Sequence, residues 1–214
     1  MSIKVDLHDK RQSYERASLD ESSVNADPIA QFHTWYHEVK DSNITEPNAM
    51  TLATAGTDAR PSARIVLLKE FNSEGFVFYT NYLSRKGEEI LENPQGALLF
   101  FWDELERQVR IEGSLKKVSE EMSDAYFAVR PRQSQMGAIA SAQSSAIADR
   151  TVLEQAMEKL EGVQELKRPA SWGGYILVPD YFEFWQGRRN RLHDRISYTK
   201  KEGVAPWKIQ RLAP

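Results

Sequence analysis

Apolar and polar positions alternate over short stretches of this chain, with turn residues between them, and that pattern predicts a mainly β architecture. Met50 to Ala55 reads as a strand ended by Gly56-Thr57-Asp58. Ser62 to Lys69 follows, and its run Ile65-Val66-Leu67-Leu68 predicts burial on both faces. Asn72-Ser73-Glu74-Gly75 predicts a turn, and Phe76 to Thr80 a third strand. Gly96 to Trp102 and Arg107 to Val118 are the next two. In the second of these, Val109, Ile111 and Leu115 fall on one face, with Gln108, Arg110 and Glu112 on the other. Trp172 to Val178 and Tyr181 to Trp185 read as separate strands joined at Pro179-Asp180, and Arg195 to Tyr198 and Trp207 to Arg211 close the chain. Strands in succession without crossover helices predict an antiparallel barrel with helical additions.

The helices show a different spacing. Asp27-Pro28 predicts a capped helix start, and Ile29, Phe32, Trp35, Tyr36 and Val39 recur at helical intervals over 28–41. Ser84 to Asn93 reads as a short helix stopped by Asn93-Pro94. Ser119 opens another, which Pro131 ends near Arg130. Further helices are expected from Pro131 toward Ala142 and from Asp149 to Leu160. Residues 1–27 are polar and read as a flexible N-terminal arm, with a single folded domain over 28–214.

Composition narrows the function classes. The chain has 214 residues, a net charge of -3 and no cysteine, which excludes disulfides, thiolate metal sites and a cysteine nucleophile. Slight acidity argues against a general nucleic-acid binder. The N-terminus has no apolar signal segment and no apolar run approaches a membrane span, so a cytoplasmic location is expected. His33 and His37 lie four apart on the first helix without a third ligand nearby, so they read as a surface pair and no metal is expected.

Against that acidic background the stretch Tyr181 to Arg195 stands out. Aromatic Tyr181, Phe182, Phe184 and Trp185 are followed by Arg188, Arg189, Arg191, His193 and Arg195. If this segment is extended, Arg191, His193 and Arg195 share one face, and a flat anionic ligand suits them. A solvated basic hairpin is the other reading that spacing leaves open. No glycine-rich phosphate motif is present, so a bound phosphate would be held by side chains. Candidates are Arg64 and Lys69, the pair Arg85-Lys86 at a helix start, and Ser144-Ser145. Tyr126 and Arg130 share a helical face, which Ser134 joins only across a bend; the three form a second candidate clamp.

Taken together, RIVLLK at 64–69, FYTNYLSRK at 78–86, LERQVRIEG at 105–113, RPRQSQMGA at 130–138, QSS at 143–145, FWQG at 184–187, RLHDR at 191–195 and the ending WKIQRLAP carry a family likeness. The sequence resembles the pyridoxine (pyridoxamine) 5'-phosphate oxidases from about Arg11 to Pro214. The resemblance implies an FMN-binding split β-barrel, mainly β with inserted helices, forming a homodimer with FMN in the clefts between subunits. It implies FMN-dependent oxidation of pyridoxamine or pyridoxine 5'-phosphate to pyridoxal 5'-phosphate, with O2 reduced to H2O2. By motif, the FMN set is Arg64, Ile65, Val66, Leu67, Lys69, Tyr79, Thr80, Arg85, Lys86, Gln108, Gln143, Ser144, Trp185 and Arg195. Gln143 and Ser144 are expected from the neighbouring subunit. The substrate set is Arg11, Tyr14, Lys69, Tyr126, Arg130, Ser134, Arg191 and His193, the last two also catalytic. Two other classes stay open: a non-catalytic flavin or pyridoxal-phosphate carrier, and a nucleic-acid or interaction module using the 188–195 arm.

Overall fold

The computed structural model describes residues 13–201 and 204–214. The helices are α1 (Pro28–Lys40), α2 (Arg85–Glu92), α3 (Glu120–Val129), α4 (Arg132–Ala140) and α5 (Thr151–Glu161). The strands are β1 (Ala49–Ala55), β2 (Pro61–Leu67), β3 (Glu70–Asn72), β4 (Gly75–Asn81), β5 (Gln95–Trp102), β6 (Arg107–Lys117), β7 (Trp172–Gln186), β8 (Asp194–Lys201) and β9 (Val204–Arg211). The chain divides into two compact units. Of the described residues, 13–47, 101–110, 181–201 and 204–214 belong to the first, and 48–100 and 111–180 to the second. The expected boundary at residue 27 therefore falls inside the first unit.

In the second unit the strand order is β2-β1-β5-β6-β7-β4-β3. Its pairs β1–β2, β1–β5, β3–β4 and β4–β7 are antiparallel. Alternation along β1 and β6 sends Met50, Leu52, Ile111 and Leu115 into a core with Phe76, Phe78, Leu98 and Phe100. α3 starts where Ser119 accepts the Met122 amide at 3.1 Å, and ends at Arg130, held extended by Pro131. In the first unit, Asp27 caps α1 by accepting the Ile29 amide. Helical spacing buries Phe32, Trp35 and Val39. Trp35 meets Phe184 edge-on at 5.2 Å, and Phe184 meets Tyr198 at 5.6 Å. There β8 pairs antiparallel with β7 and with β9.

Four expectations about elements change. β2 is an edge strand, paired on one side only, so its apolar run is not buried on both faces: Ile65 is 65% exposed. The strand also stops at Leu67, short of the expected Lys69, with β3 a separate short strand, so Lys69 lies in the link between them. β7 runs without interruption through Pro179-Asp180. Finally, the arm is not loose over its described part, 13–27. Leu19 is buried, its amide donates to Asp194 at 3.0 Å, and the Glu15 and Arg16 amides donate to Glu106. Arg11 lies outside the described residues.

Gly113 on β6 shows why β7 stays continuous. A Cβ there would lie 2.1 Å from the Val178 carbonyl oxygen and 2.9 Å from Pro179 Cα. Only a residue without a side chain lets the backbone at Val178-Pro179 come this close. Gly113→Ala is expected to destabilise the protein by about 1–3 kcal/mol in urea unfolding, since backbone has to move.

Candidate functional site

The second unit holds a cavity of about 1000 Å³. Its floor comes from the edge strand β2, through Arg64, Ile65, Val66 and Leu67, and from Lys69 beyond it. The end of β4 contributes Tyr79 and Thr80, and the first turn of α2 brings Arg85 and Lys86. α3 and α4 add Tyr126, Arg130 and Ser134, and the following loop adds Gln143 and Ser144. The amide-bearing start of α2 and five cationic side chains make this a place for an anion.

Lys86 is 7% exposed. Its ammonium donates to Thr80 Oγ1 at 3.0 Å, Ser84 Oγ at 3.1 Å and Gln143 Oε1 at 2.9 Å. Burial, helped by the Arg64 charge and opposed by Glu89, pulls its pKa down to about 8. Of the three acceptors, Gln143 is the exposed one, on the loop after α4. Thr80 also donates to it, at 3.3 Å, so the amide oxygen sits where an anion's oxygen would be held twice. Ser144, next in the loop, has φ 76°. The expectation that Gln143 and Ser144 come from a neighbouring subunit is corrected, because the chain's own loop brings them into its own cavity.

Arg64 is held from behind. Its guanidinium donates to Thr54 and Ser62, cross-strand partners in the β1–β2 register, and both hydroxyls donate to Glu89 Oε2, at 2.6 and 2.5 Å. Arg64 also reaches Glu89 directly at 3.3 Å, and Arg85 Nε reaches its other oxygen at 2.9 Å. Burial pushes the Glu89 pKa up. The donors Ser62, Thr54 and Arg85, with the Arg64 charge, outweigh it and hold the carboxyl at about 2.

The opposite wall is aromatic. Tyr79 stacks on Tyr126 with centroids 4.0 Å apart and on Trp172 at 5.5 Å. Burial raises the Tyr79 hydroxyl to about 12, so it stays a neutral donor. Arg130 lies over Trp172 at 4.6 Å, with its Nη1 buried and without a hydrogen-bond partner. A buried guanidinium nitrogen with nothing to donate to is costly, and it lines a cavity large enough to supply an acceptor. Ser134 joins Tyr126 and Arg130 across the Pro131 bend.

The remaining expected residues belong to the first unit. The segment 189–191 is not extended: it forms a short 3-10 turn in which Asn190 and Arg191 have φ near 60°, so periodicity does not put Arg191, His193 and Arg195 on one face. His193 Nδ1 accepts the Arg188 amide at 3.1 Å, which leaves Nε2 to carry the proton of the neutral ring. Burial and the Arg191 charge lower its pKa, against Asp194. Its ring lies 4.6 Å from Trp185 and 5.8 Å from Tyr14. Arg195, opposite Trp185 in the β7–β8 register, grips buried Glu183 at 2.8 and 3.1 Å; Arg110 holds the same carboxylate at 2.7 Å. Gln108 is half-buried on β6. None of these lines the second-unit cavity.

The sequence reading missed Glu89, Thr54, Ser62 and Trp172. Glu89 had a local signal in its four-residue offset from Arg85. The other three depend on register and packing that no local pattern reveals. His33 and His37 meet at 3.1 Å, and no group of three or more metal-ligating side chains occurs among the described residues. Nor is any helix there long and apolar enough to cross a membrane.

Residues 37–164 match the family described as pyridoxamine 5'-phosphate oxidase, and 172–214 match the pyridoxine 5'-phosphate oxidase C-terminal dimerisation region. The chain belongs to the pyridoxamine 5'-phosphate oxidase family. A pyridoxine/pyridoxamine 5'-phosphate oxidase from Burkholderia mallei is 56% identical over 212 residues, covering 97% of this chain and 99% of that one. One from Burkholderia lata 383 is similar to the same extent. Among solved structures, PhzG from Burkholderia lata 383, in complex with tetrahydrophenazine-1-carboxylic acid, aligns with TM-score 0.88 and 29% identity over 95% of this chain and 100% of that one. A pyridoxamine 5'-phosphate oxidase-related FMN-binding protein from Nostoc punctiforme aligns with TM-score 0.70 over 86% of this chain and 96% of that one; at 15% identity it speaks for the fold. The fold is thus the family's split barrel, mainly β with inserted helices, and the chain is an oxidoreductase of this family.

Lys86 sets a pH dependence. An anion in the cavity favours the protonated amine, so binding above the free-site value of about 8 requires proton uptake. Affinity for a phosphate monoester is expected to fall by up to about tenfold per pH unit above that point, and Lys86→Met to flatten the profile, by calorimetric titration.

Proposed function

We propose that this chain oxidises pyridoxamine 5'-phosphate and pyridoxine 5'-phosphate to pyridoxal 5'-phosphate, using FMN, with O2 reduced to H2O2. The observation that carries the reading is a cavity with two separate anion holders: Arg64, Arg85 and Lys86 around the start of α2, and Arg130 with Tyr126 and Ser134 at the α3–α4 bend. Two phosphorylated ligands need two such holders. The residues fit FMN on the same ground, since the buried Lys86 amine and its neighbours suit a phosphate ester, and the unpartnered Arg130 Nη1 is left for the substrate's phosphate. Kinship favours the vitamin substrate. From one organism, Burkholderia lata 383, the relative named as the vitamin oxidase is 56% identical and PhzG is 29% identical.

FMN, when bound, supplies the two-electron redox chemistry that no side chain here offers. The amine loses two electrons and two protons, water hydrolyses the resulting imine, and ammonia leaves. Arg130, Tyr126 and Ser134 hold and orient the phosphate, and Lys69, exposed at the cavity mouth, adds charge. His193, neutral with Nε2 protonated at rest, and Arg191 position the reacting carbon and assist proton movement. Arg191, His193, Arg195, Trp185, Gln108 and Tyr14 do not line this chain's cavity. We therefore assign them to the cavity of a second copy in a homodimer, which the C-terminal dimerisation region supports.

The similarity to PhzG favours a second reading, oxidation of a reduced tricyclic carboxylate. A carrier without turnover is a third. Under the proposal the purified protein is yellow, bleaches with pyridoxamine 5'-phosphate in the absence of oxygen, and then consumes oxygen. Bleaching only by a tetrahydrophenazine carboxylate would establish the second reading, and no oxygen uptake the third. Arg130→Ala is expected to weaken substrate binding by about 2–4 kcal/mol with flavin retained. His193→Ala and Arg191→Ala are expected to lower turnover, also with flavin retained; a wild-type Michaelis constant in Arg130→Ala would overturn the phosphate assignment.

A further inference from the structure

Glu89 lies directly behind the cationic floor and does not itself line the cavity. A carboxylate so near an anion site should weaken it by Coulomb repulsion, unless its negative charge is fully engaged elsewhere. Here it is. Oε2 accepts from Thr54, Ser62 and Arg64, and Oε1 accepts from Arg85. The Arg64 guanidinium is gripped four ways, at the Leu52 carbonyl, Thr54, Ser62 and Glu89 itself, which leaves its Nε–H for a ligand. The two hydroxyls pass both grips on to the same carboxylate oxygen, closing two rings around one anchor. Arg85, itself exposed on the first turn of α2, is tied down at its Nε alone among the described residues, which leaves both terminal nitrogens for a ligand.

We propose that Glu89 is a positioning residue: it fixes Arg64 and Arg85 so that their remaining N–H groups converge on the phosphate of a flavin nucleotide, and so makes the site select the phosphorylated flavin over the unphosphorylated one. This rests on the FMN reading above. Arginine in a fixed fork holds phosphate far better than a mobile one, because the ordering has been completed before binding. The carboxylate's low pKa keeps this anchor charged through the working pH range. A purely structural pin between α2 and the β1–β2 hairpin would instead affect folding alone.

The test compares FMN with riboflavin, which lacks the phosphate, by flavin-fluorescence titration of the full-length apoprotein. Glu89→Gln keeps the shape but cannot accept from hydroxyls and both arginines at once. It is expected to raise the FMN dissociation constant about tenfold or more while riboflavin affinity stays within about twofold. Thr54→Val, which removes one link and keeps the carboxylate, is expected to shift FMN alone in the same direction, and serves if Glu89→Gln does not fold. FMN affinity unchanged or tighter in a folded variant, or equal losses for FMN and riboflavin, overturns the proposal. Wild-type protein that binds neither flavin would instead overturn the functional reading.

Discussion

Buried positive charge is the constraint around which the second unit is built. Lys86 and Arg64 sit where water has been largely removed, and each would be unaffordable alone. Glu89 offsets them, and the hydroxyls of Thr54, Ser62, Thr80 and Ser84 fill the remaining hydrogen-bonding positions. This fixes several elements at once. β1 and β2 must pair in the register that places Thr54 opposite Ser62, and α2 must present Lys86 and Glu89 inward. Gly87 permits that approach, since a Cβ there would lie 2.1 Å from the Tyr82 carbonyl oxygen.

The first unit repeats the principle with the sign reversed. Glu183 is a buried carboxylate between Arg110 and Arg195, with an aromatic core of Phe182, Phe184 and Tyr198 beside it. Burial alone would raise its pKa, and the two guanidiniums bring it below the ordinary value. In both units a buried ion is retained with its charge partners already placed. Such pairs contribute little net stability for their size, but they fix the direction of an arginine very well. Direction is what recognition of a phosphate or of a flat ring requires.

Gln143 brings a neutral partner to the same charge. It completes the Lys86 shell from an exposed loop, and its neighbour Ser144 has a left-handed backbone. A neutral amide oxygen holds an ammonium less strongly than a phosphate oxygen does.

Much of this was written locally. The α1 start at Asp27-Pro28, the α3 stop before Pro131 and the alternation along β6 follow from backbone rules that act within a few residues. So does the grouping of Tyr126 with Arg130. The family likeness, too, was carried by short ordered motifs, from RIVLLK to RLHDR. What the chain could not state locally was who its neighbours are. Whether Ile65 is buried depends on whether β2 has one partner or two. Whether Pro179 breaks a strand depends on a glycine sixty-six positions earlier, at Gly113. Whether Arg191 follows an extended path depends on a turn that left-handed Asn190 forces. Glu89 becomes an anchor only after β-pairing has brought Thr54 and Ser62 together. Local sterics act over one or two peptide units and are legible in sequence; burial, register and charge compensation act between segments far apart, and the folded chain alone decides them.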